Sequence, residues 1–143
     1  MKTSFQTAIG IILIAGIFSC SGKSQQADIK FRQYYLKGET LYKQNCANCH
    51  QSNGRGFGLL YPPLDSSDFL LNYPDSSICI IRHGRSGHIV VNRMDYNQPM
   101  PGSPTLTDIE IAQIMTYICN SWSNEQGMFE VKKVSEVLTN CTR

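Results

Sequence analysis

One short run of residues carries two thiols and an imidazole at a spacing that suits the attachment of a cofactor. The run is Cys46-Ala47-Asn48-Cys49-His50, which has the pattern C-x-x-C-H. Each of the two thiols can add to one vinyl group of a porphyrin, and the adjacent histidine can then bind the iron. The run therefore predicts one covalently bound haem c, held by Cys46 and Cys49, with His50 as an axial iron ligand.

Two other interpretations of the paired cysteines have less support in the sequence. A redox-active C-x-x-C of the thioredoxin type belongs beside a strand–helix–strand pattern, and none surrounds Cys46. A structural zinc site needs four ligands, and no second C-x-x-C or C-x-x-H follows Cys49. Haem attachment is therefore the favoured chemistry for this segment.

The chain is long enough for one ordinary domain. It has 143 residues, of which 41% are hydrophobic and 17% are charged, so we expect a packed core and no extensive disorder. The 13 basic residues and 11 acidic residues give a formal net charge of +2. A balance so close to neutral argues against a dedicated nucleic-acid-binding protein.

The N-terminus has the features of an export signal. Lys2 is followed by an apolar stretch over 8–18, which is shorter than the roughly 20 residues that cross a bilayer. A basic start, a short apolar centre and small residues after it are typical of a secretory signal peptide. We therefore expect a signal peptide over 1–19 and a mature protein outside the cytoplasm.

The end of this stretch suggests a lipid anchor. Ile17-Phe18-Ser19-Cys20 resembles the lipobox of bacterial lipoproteins, although Phe18 is larger than the residue usual at that place. The alternative is a plain signal peptide with an incidental cysteine. We predict that Cys20 is lipidated, that 20–29 is a tether, and that the protein is anchored to a bacterial membrane on the periplasmic side.

Hydrophobic periodicity predicts helices on both sides of the cysteine run. Apolar residues recur at three- and four-residue intervals over 29–44, which indicates a helix before the run. Short helices are expected over 67–72 and 76–83. We expect the second of these to be capped by Asp75 and to end at Gly84.

The clearest helix start lies in the last third of the chain. Thr107 and Glu110 have the spacing of a capping box, and the helix that follows is expected to end at about Ser121. A last helix is expected over 130–140. The other predicted elements are a short extended piece over 88–93 and an irregular loop over 97–104.

These features together resemble the class I cytochromes c, known as bacterial lipoproteins or as fused domains of respiratory enzymes. The resemblance covers about Lys30 to Asn124. The residues that carry it, besides the C-x-x-C-H run, are Gly38, Tyr42, Tyr61-Pro62-Pro63-Leu64, Gly84, Asn92, Tyr96, Pro99-Met100-Pro101 and the helix end Tyr117-Ile118-Cys119-Asn120-Ser121-Trp122. It implies an all-α fold of several helices and structured loops wrapped around one covalently attached haem. The cytochrome c domain would span 30–124, followed by a helical extension over 125–143.

The resemblance also implies a second axial ligand, for which Met100 is the best candidate. Met100 lies between two prolines, which limit the backbone freedom that ligation would otherwise remove. Met94 is the rival, but both of its neighbours are charged. Met115 lies on the apolar face of a helix, and Met128 lies beyond the resemblance.

Two supporting contacts follow from the same resemblance. A carbonyl oxygen within 61–63 should accept a hydrogen bond from the outer ring nitrogen of His50. Gly38 should allow two helices to approach closely, with Tyr117 on the other side.

Several charged residues after the middle helices have open roles. His83 and His88 are rival iron ligands, although we favour surface positions for both. Arg82, Arg85 and Arg93 could meet a haem propionate or an acidic partner, and a solvated surface is again the favoured interpretation.

Three cysteines remain to be assigned, and they allow three pairings with one thiol left over. Cys119 and Cys141 lie on the apolar faces of two helices joined by a short loop, so we favour a disulfide between them. Cys79 would then be a small buried hydrophobic residue.

The predicted function is electron transfer, without catalytic residues. Resemblance to the family implies that the protein accepts one electron from a quinol-oxidising complex or a dehydrogenase and passes it to a terminal oxidase or reductase. The alternatives are a small haem enzyme such as a peroxidase, and a haem-bearing subunit of a larger complex.

Overall fold

The computed structural model describes residues 22–141, and the predicted signal peptide and Cys20 lie outside them. The chain divides into two units, and the site described below lies within the second, Phe31–Arg143. Six helices and two two-stranded sheets occur in the described residues, which confirms the predicted all-α class. In chain order the elements are α1 (Gly22–Asn45), α2 (Ala47–His50), α3 (Asp68–Asn72), α4 (Pro74–His83), β1 (Gly84–Arg85), β2 (Ile89–Val91), β3 (Met94–Tyr96), β4 (Met100–Pro101), α5 (Asp108–Ile118) and α6 (Val131–Thr139).

Helix α1 begins earlier than the sequence pattern predicted. We expected a polar tether up to about residue 29, whereas the helix starts at Gly22. Residues 24–30 are exposed and contain no proline, and glutamine, alanine and lysine favour a helix there. The predicted helix start at residue 29 was wrong, because a search for apolar periodicity overlooks a helical segment that buries no apolar face.

The core lies between α1, α4, α5 and α6. On the apolar face of α5, Ile111, Ile114, Met115 and Ile118 are each at most 4% exposed. Further buried side chains are Tyr34, Leu41 and Tyr42 from α1, Ile78 and Ile81 from α4, and Val134 and Val137 from α6.

The predicted capping box starts α5. The hydroxyl of Thr107 accepts a hydrogen bond from the backbone N–H of Glu110, and the Glu110 carboxylate accepts one from the backbone N–H of Thr107. The helix ends at Ile118, earlier than the predicted Ser121, and Trp122 has a left-handed backbone with φ of 58°.

A glycine lets α1 and α5 approach each other closely. A Cβ atom at Gly38 would lie 2.0 Å from the carbonyl oxygen of Gln113 and 2.8 Å from the Cβ of Tyr117. At this approach the rings of Tyr35 and Tyr42 contact the ring of Tyr117, with centroids 5.2 and 5.3 Å away. The predicted role of Gly38 is confirmed.

Helix α4 differs from prediction at its start. It begins at Pro74, so Asp75 lies within its first turn and does not cap it. Proline suits the first helical position because its missing N–H would have no partner there. The helix ends at His83 as predicted, and Gly84 has φ of 79°, a conformation that favours glycine.

The segment after α4 contains more strand than predicted. In place of one extended piece over 88–93, β2 and β3 form an antiparallel hairpin in which Val91 lies opposite Met94. The turn residues Asn92 and Arg93 have φ values of 52° and 66°, as a two-residue type I′ turn requires. Strand β4, within the predicted irregular loop, pairs with β1.

Helix α6 confirms the predicted C-terminal helix within one residue at each end. Val134 and Val137 are its buried residues, and the helix packs on both α4 and α5. Among the residues that the structure describes, no helix combines the length and the apolar character needed to span a membrane.

We expect Gly38→Ala to lower the free energy of unfolding by about 3 kcal/mol, because the new methyl group would meet backbone atoms of α5. Denaturant unfolding of the purified protein measures the change. Lys37→Ala, at the neighbouring exposed position, is the matched control and should cost less than about 0.5 kcal/mol. An unchanged unfolding midpoint in Gly38→Ala would contradict the close helix contact.

Candidate functional site

The C-x-x-C-H run forms one helical turn, α2, directly after α1. The backbone N–H groups of Cys49 and His50 donate to the carbonyl oxygen of Cys46 at 3.1 and 3.0 Å. Cys46 is itself joined to α1 by a hydrogen bond of 2.8 Å from its N–H to the carbonyl oxygen of Tyr42. Both thiols are free, and both line one cavity together with His50.

The cavity beside α2 is mostly apolar. Its lining is predominantly apolar and carries a few polar groups, which is the character of a cofactor site. Its walls come from α2, the loop over 61–64, α3, α4, the two small sheets and α5. The lining residues that matter most below are Cys46, Cys49, His50, Pro62, Arg85 and Met100.

One hydrogen bond orients the ring of His50. Its Nδ1 lies 3.0 Å from the carbonyl oxygen of Pro62, so the predicted acceptor within 61–63 is Pro62. Because a carbonyl oxygen can only accept, Nδ1 carries the proton and Nε2 keeps a lone pair that can bind a metal. Burial lowers the pKa of His50 and so favours the neutral ring, while the bond to Pro62 acts in the opposite direction.

Glycines in the loop after α2 keep Pro62 close to His50. The N–H of Gly56 donates to the carbonyl oxygen of His50 at 3.0 Å, and the N–H of Leu64 donates to that of Gly54 at 2.7 Å. A Cβ atom at Gly56 would lie 2.1 Å from the carbonyl oxygen of Tyr61. Only glycine therefore fits this crossing of the loop.

A buried asparagine links this loop to the end of α5. The side-chain amide of Asn124 donates to the carbonyl oxygens of Leu64 and Ile118, both at 2.8 Å. Its carbonyl oxygen accepts from the backbone N–H of Ser66 at 3.0 Å. The sequence analysis missed this role, because two of the three partners lie about 60 residues away in the chain.

Tyr42 supports the cavity from the core side. The residue is fully buried, lines the cavity, and donates its hydroxyl hydrogen to the carbonyl oxygen of Gln51 at 2.6 Å. Burial raises its pKa, so the phenol stays neutral. Its ring also contacts that of Trp122, with centroids 5.6 Å apart. These contacts join α1, α2 and the end of α5.

The candidate methionines differ in where they lie relative to the cavity. Met100 is half-buried on the cavity lining, in β4 and between two prolines. Met94 is 47% exposed and is not part of the lining. Met115 is fully buried in the core, and Met128 is partly buried against it. The cavity therefore brings Met100 together with His50, Cys46 and Cys49.

The two other histidines lie away from the cavity lining. His83 is exposed in the last turn of α4. His88 is exposed, and its Nδ1 lies 2.9 Å from a carboxylate oxygen of Asp95. These positions agree with the surface interpretation of both residues.

The three arginines have different surroundings. Arg82 pairs with Asp108, with 2.6 Å between nitrogen and oxygen, and is not part of the cavity lining. Arg93 is exposed in the β2–β3 turn. Arg85 does line the cavity, and it donates to the carbonyl oxygen of His88 at 2.8 Å. Arg85 is therefore the one member of this group that can meet a group bound in the cavity.

The predicted disulfide was wrong. Cys141 is bonded to Cys79, with 5.8 Å between Cα atoms, and Cys119 is a free thiol with no exposed surface. Helix α6 packs on α4 as well as α5, and the chain leaves α6 at the side of α4. The facing-helix argument for Cys119 considered only the neighbour in sequence and overlooked α4.

The chemistry of these donors fits a covalently attached haem. Burial, with a smaller effect of Cys49, raises the pKa of Cys46 to about 12, whereas thioredoxin-type cysteines depend on a lowered pKa. No group of three or more His, Cys, Asp or Glu residues that could hold a metal ion occurs within 22–141. Two free thiols, an imidazole whose Nδ1 is engaged by Pro62, and an apolar cavity match the needs of a haem with thioether links.

Comparison with known proteins identifies the family. The cytochrome c family matches residues 35–122, which is more than half of the chain, and the protein belongs to this family. A cytochrome c-552 from Thermus thermophilus is 34% identical over 91 residues, covering 61% of this chain and 69% of that protein. A second cytochrome c-552 from the same species is equally similar and is matched over 61% of its length.

The family includes subunits of larger enzymes. The cytochrome c subunit of a quinone alcohol dehydrogenase from Gluconacetobacter polyoxogenes is 31% identical over 93 residues. The match covers 63% of this chain and 19% of that subunit, so the chain spans about a fifth of the subunit's length. Membership of the cytochrome c family implies a covalently bound haem c and makes this domain an electron carrier, not an enzyme in itself.

We expect Asn124→Ala to lower the free energy of unfolding by about 3 kcal/mol, because it removes donors from two carbonyl oxygens and the acceptor of Ser66. Thermal or denaturant unfolding measures the loss. The exposed Asn97, changed to Ala, is the matched control and should have little effect. Equal stability of the two variants would show that Asn124 does not tie the loop to α5.

Proposed function

We propose that this protein is a membrane-anchored monohaem cytochrome c that shuttles one electron between partners of a respiratory chain. The observation that carries the proposal is the meeting of His50, Met100 and two free thiols on one apolar cavity. The single C-x-x-C-H run in the sequence supports one haem.

We propose that His50 and Met100 would hold the haem iron. The lone pair on Nε2 of His50 is available because Nδ1 is engaged by Pro62. The thioether of Met100 comes from a different segment of the lining, and its strand is paired with β1. When bound, the haem supplies a centre that gains and loses one electron. A methionine ligand favours the reduced iron and raises the reduction potential relative to two histidines.

This ligand set suits electron transfer better than catalysis. With both His50 and Met100 bound to the iron, no open position would remain there for peroxide or another substrate. Prolines on both sides of Met100 restrict its backbone, so the side chain needs little reorganisation between oxidation states. The apolar lining also excludes water and its dipoles from the centre.

We further propose that the protein is exported and held at a bacterial membrane by a lipid on Cys20. The apolar N-terminal stretch and the lipobox-like residues before Cys20 support this. The Cys79–Cys141 disulfide supports an oxidising compartment outside the cytoplasm. A diacylated cysteine would confine the protein to the surface where membrane-bound redox partners lie.

The proposed location at a membrane surface supports a proposal for the redox partners. We propose a quinol-oxidising complex or a dehydrogenase as the donor and a terminal oxidase or reductase as the acceptor. The match to cytochrome c subunits of quinone alcohol dehydrogenases favours a second candidate, a haem-bearing subunit of a dehydrogenase complex. Co-purification at fixed stoichiometry would indicate the subunit, whereas electron exchange with soluble donors would indicate the free carrier.

Met100→Ala tests the ligand assignment. We expect it to abolish the weak far-red absorption band of an oxidised haem ligated by methionine sulfur. The reduction potential should fall by roughly 100 mV or more, because axial ligands move haem potentials over a range of about 0.8 V. Visible spectra in both oxidation states and a redox titration provide the measurements.

Met94→Ala is the matched control, because Met94 is exposed and outside the lining, and it should keep the band and the potential. The reduced Met100→Ala variant should bind carbon monoxide, whereas the parent protein should not. Rapid carbon monoxide binding by the parent protein would favour a haem enzyme over an electron carrier. Retention of the band in Met100→Ala would show that the ligand is another residue.

Cys20→Ala tests the anchor. Cells grown with a clickable palmitate analogue should label the parent protein, and the label should fall to background in Cys20→Ala because no thiol remains there to carry lipid. Cys119→Ala controls for cysteine loss as such and should label as the parent does. Undiminished label in Cys20→Ala would refute lipidation at this residue.

A further inference from the structure

We propose that the C-terminal segment Val131–Cys141, which we call the brace, is a positioning device for Met100. It keeps the short strand β4 in place through α4, and this role rests on the proposed ligation by Met100. The brace lies beyond residues 35–122, which match the cytochrome c family, so the family match does not assign it a role.

The brace contacts α4 and α5 at several points from Lys133 to Cys141. Its buried residues Val134 and Val137 belong to the core. Near its start, the Lys133 ammonium lies 3.2 Å from a carboxylate oxygen of Asp75, in the first turn of α4. At its end, Cys141 is bonded covalently to Cys79 in the middle of α4.

A third connection runs through a shared carboxylate. The hydroxyl of Ser135 donates to one oxygen of Asp108 at 2.7 Å, and the guanidinium of Arg82 donates to the other at 2.6 Å. Asp108 starts α5, while Arg82 lies in the last turn of α4. The brace is therefore linked to the end of α4 that leads into β1.

The end of α4 in turn fixes the strand of Met100. Gly84 lies opposite Pro101, and Arg85 lies opposite Met100, in the β1–β4 pair. The backbone N–H of Ser103 donates to the carbonyl oxygen of Ile81, within α4, at 2.8 Å. Met100 and the residues that follow it, up to Ser103, are thus held to β1 and to the end of α4.

The packing at this junction is close enough to transmit a displacement. A Cβ atom at Gly84 would lie 2.6 Å from the carbonyl oxygen of Met100. A Cβ atom at Gly102 would lie 2.5 Å from the carbonyl carbon of His83 and 2.7 Å from the carbonyl oxygen of Arg82. Movement of the end of α4 therefore moves the backbone that carries Met100.

Two-residue strands contribute little stability of their own, so the position of β4 depends on the elements that hold β1. The disulfide closes a loop between residues 62 apart in sequence and limits how far α6 and α4 can separate in a partly opened state. Loss of the brace should accordingly favour states in which Met100 has left the iron while the helices remain folded.

The test is displacement of Met100 by added imidazole in the oxidised, haem-loaded protein. The far-red band reports ligation by methionine, and its loss gives the half-saturation concentration of imidazole. We expect about a tenfold lower half-saturation concentration in the double variant Cys79→Ala/Cys141→Ala. Far-ultraviolet circular dichroism at each imidazole concentration checks that the helices stay folded.

Cys119→Ala is the matched control, because it removes a buried thiol from the core without touching the brace, and its half-saturation should stay within about twofold of the parent. If the double variant does not fold, Lys133→Ala/Ser135→Ala provides the test of the brace, because it removes two polar connections and keeps the disulfide. We expect a shift of about threefold in the same direction there.

The outcomes separate the brace from the ligand assignment. Retention of the far-red band in Met100→Ala overturns both proposals. Loss of the band in Met100→Ala, with equal imidazole affinity in the parent and in Cys79→Ala/Cys141→Ala, overturns the brace alone. An equal shift in Cys119→Ala also overturns it, because general loss of stability would then explain the effect.

Discussion

The hydrogen bond between Nδ1 of His50 and the carbonyl oxygen of Pro62 decides which ring nitrogen can bind a metal. A carbonyl oxygen serves this purpose only if its backbone is fixed. Proline restricts one dihedral angle, Gly56 allows the loop to cross close to Tyr61, and Asn124 joins the loop to α5. The orientation of one imidazole thus depends on residues from three parts of the chain.

The two proposed iron ligands are supported in different ways. His50 follows two cysteines in a single helical turn, so its position is set largely by local backbone hydrogen bonds. Met100 lies in a two-residue strand whose partner is the end of α4, and its position depends on long-range contacts. This asymmetry explains why supports remote in sequence, including the Cys79–Cys141 disulfide, gather on α4. These long-range contacts therefore support the Met100 side of the site.

Sequence reasoning succeeded where the signal is local. The C-x-x-C-H spacing, the capping box at Thr107 and the end of α4 at Gly84 each depend on residues a few positions apart. Gly38 was predicted through resemblance to a family, which carries information about a contact between distant helices. The role of Asn124 and the partner of Cys141 escaped prediction because each joins segments about 60 residues apart. Hydrophobic periodicity and motif spacing describe residues that are close in sequence, so they do not predict contacts between segments this far apart.

The Cys79–Cys141 disulfide also shows how five of the six cysteines are kept in separate environments. The thiolate is the species that exchanges with disulfides, so a raised pKa makes a thiol slow to attack. Burial raises the pKa of Cys119 to about 12, and burial does the same for Cys46. In the folded protein both thiols should therefore be slow to attack the Cys79–Cys141 bond. Folding also keeps the two thiols on the cavity apart from the disulfide that joins α4 to the end of the described chain.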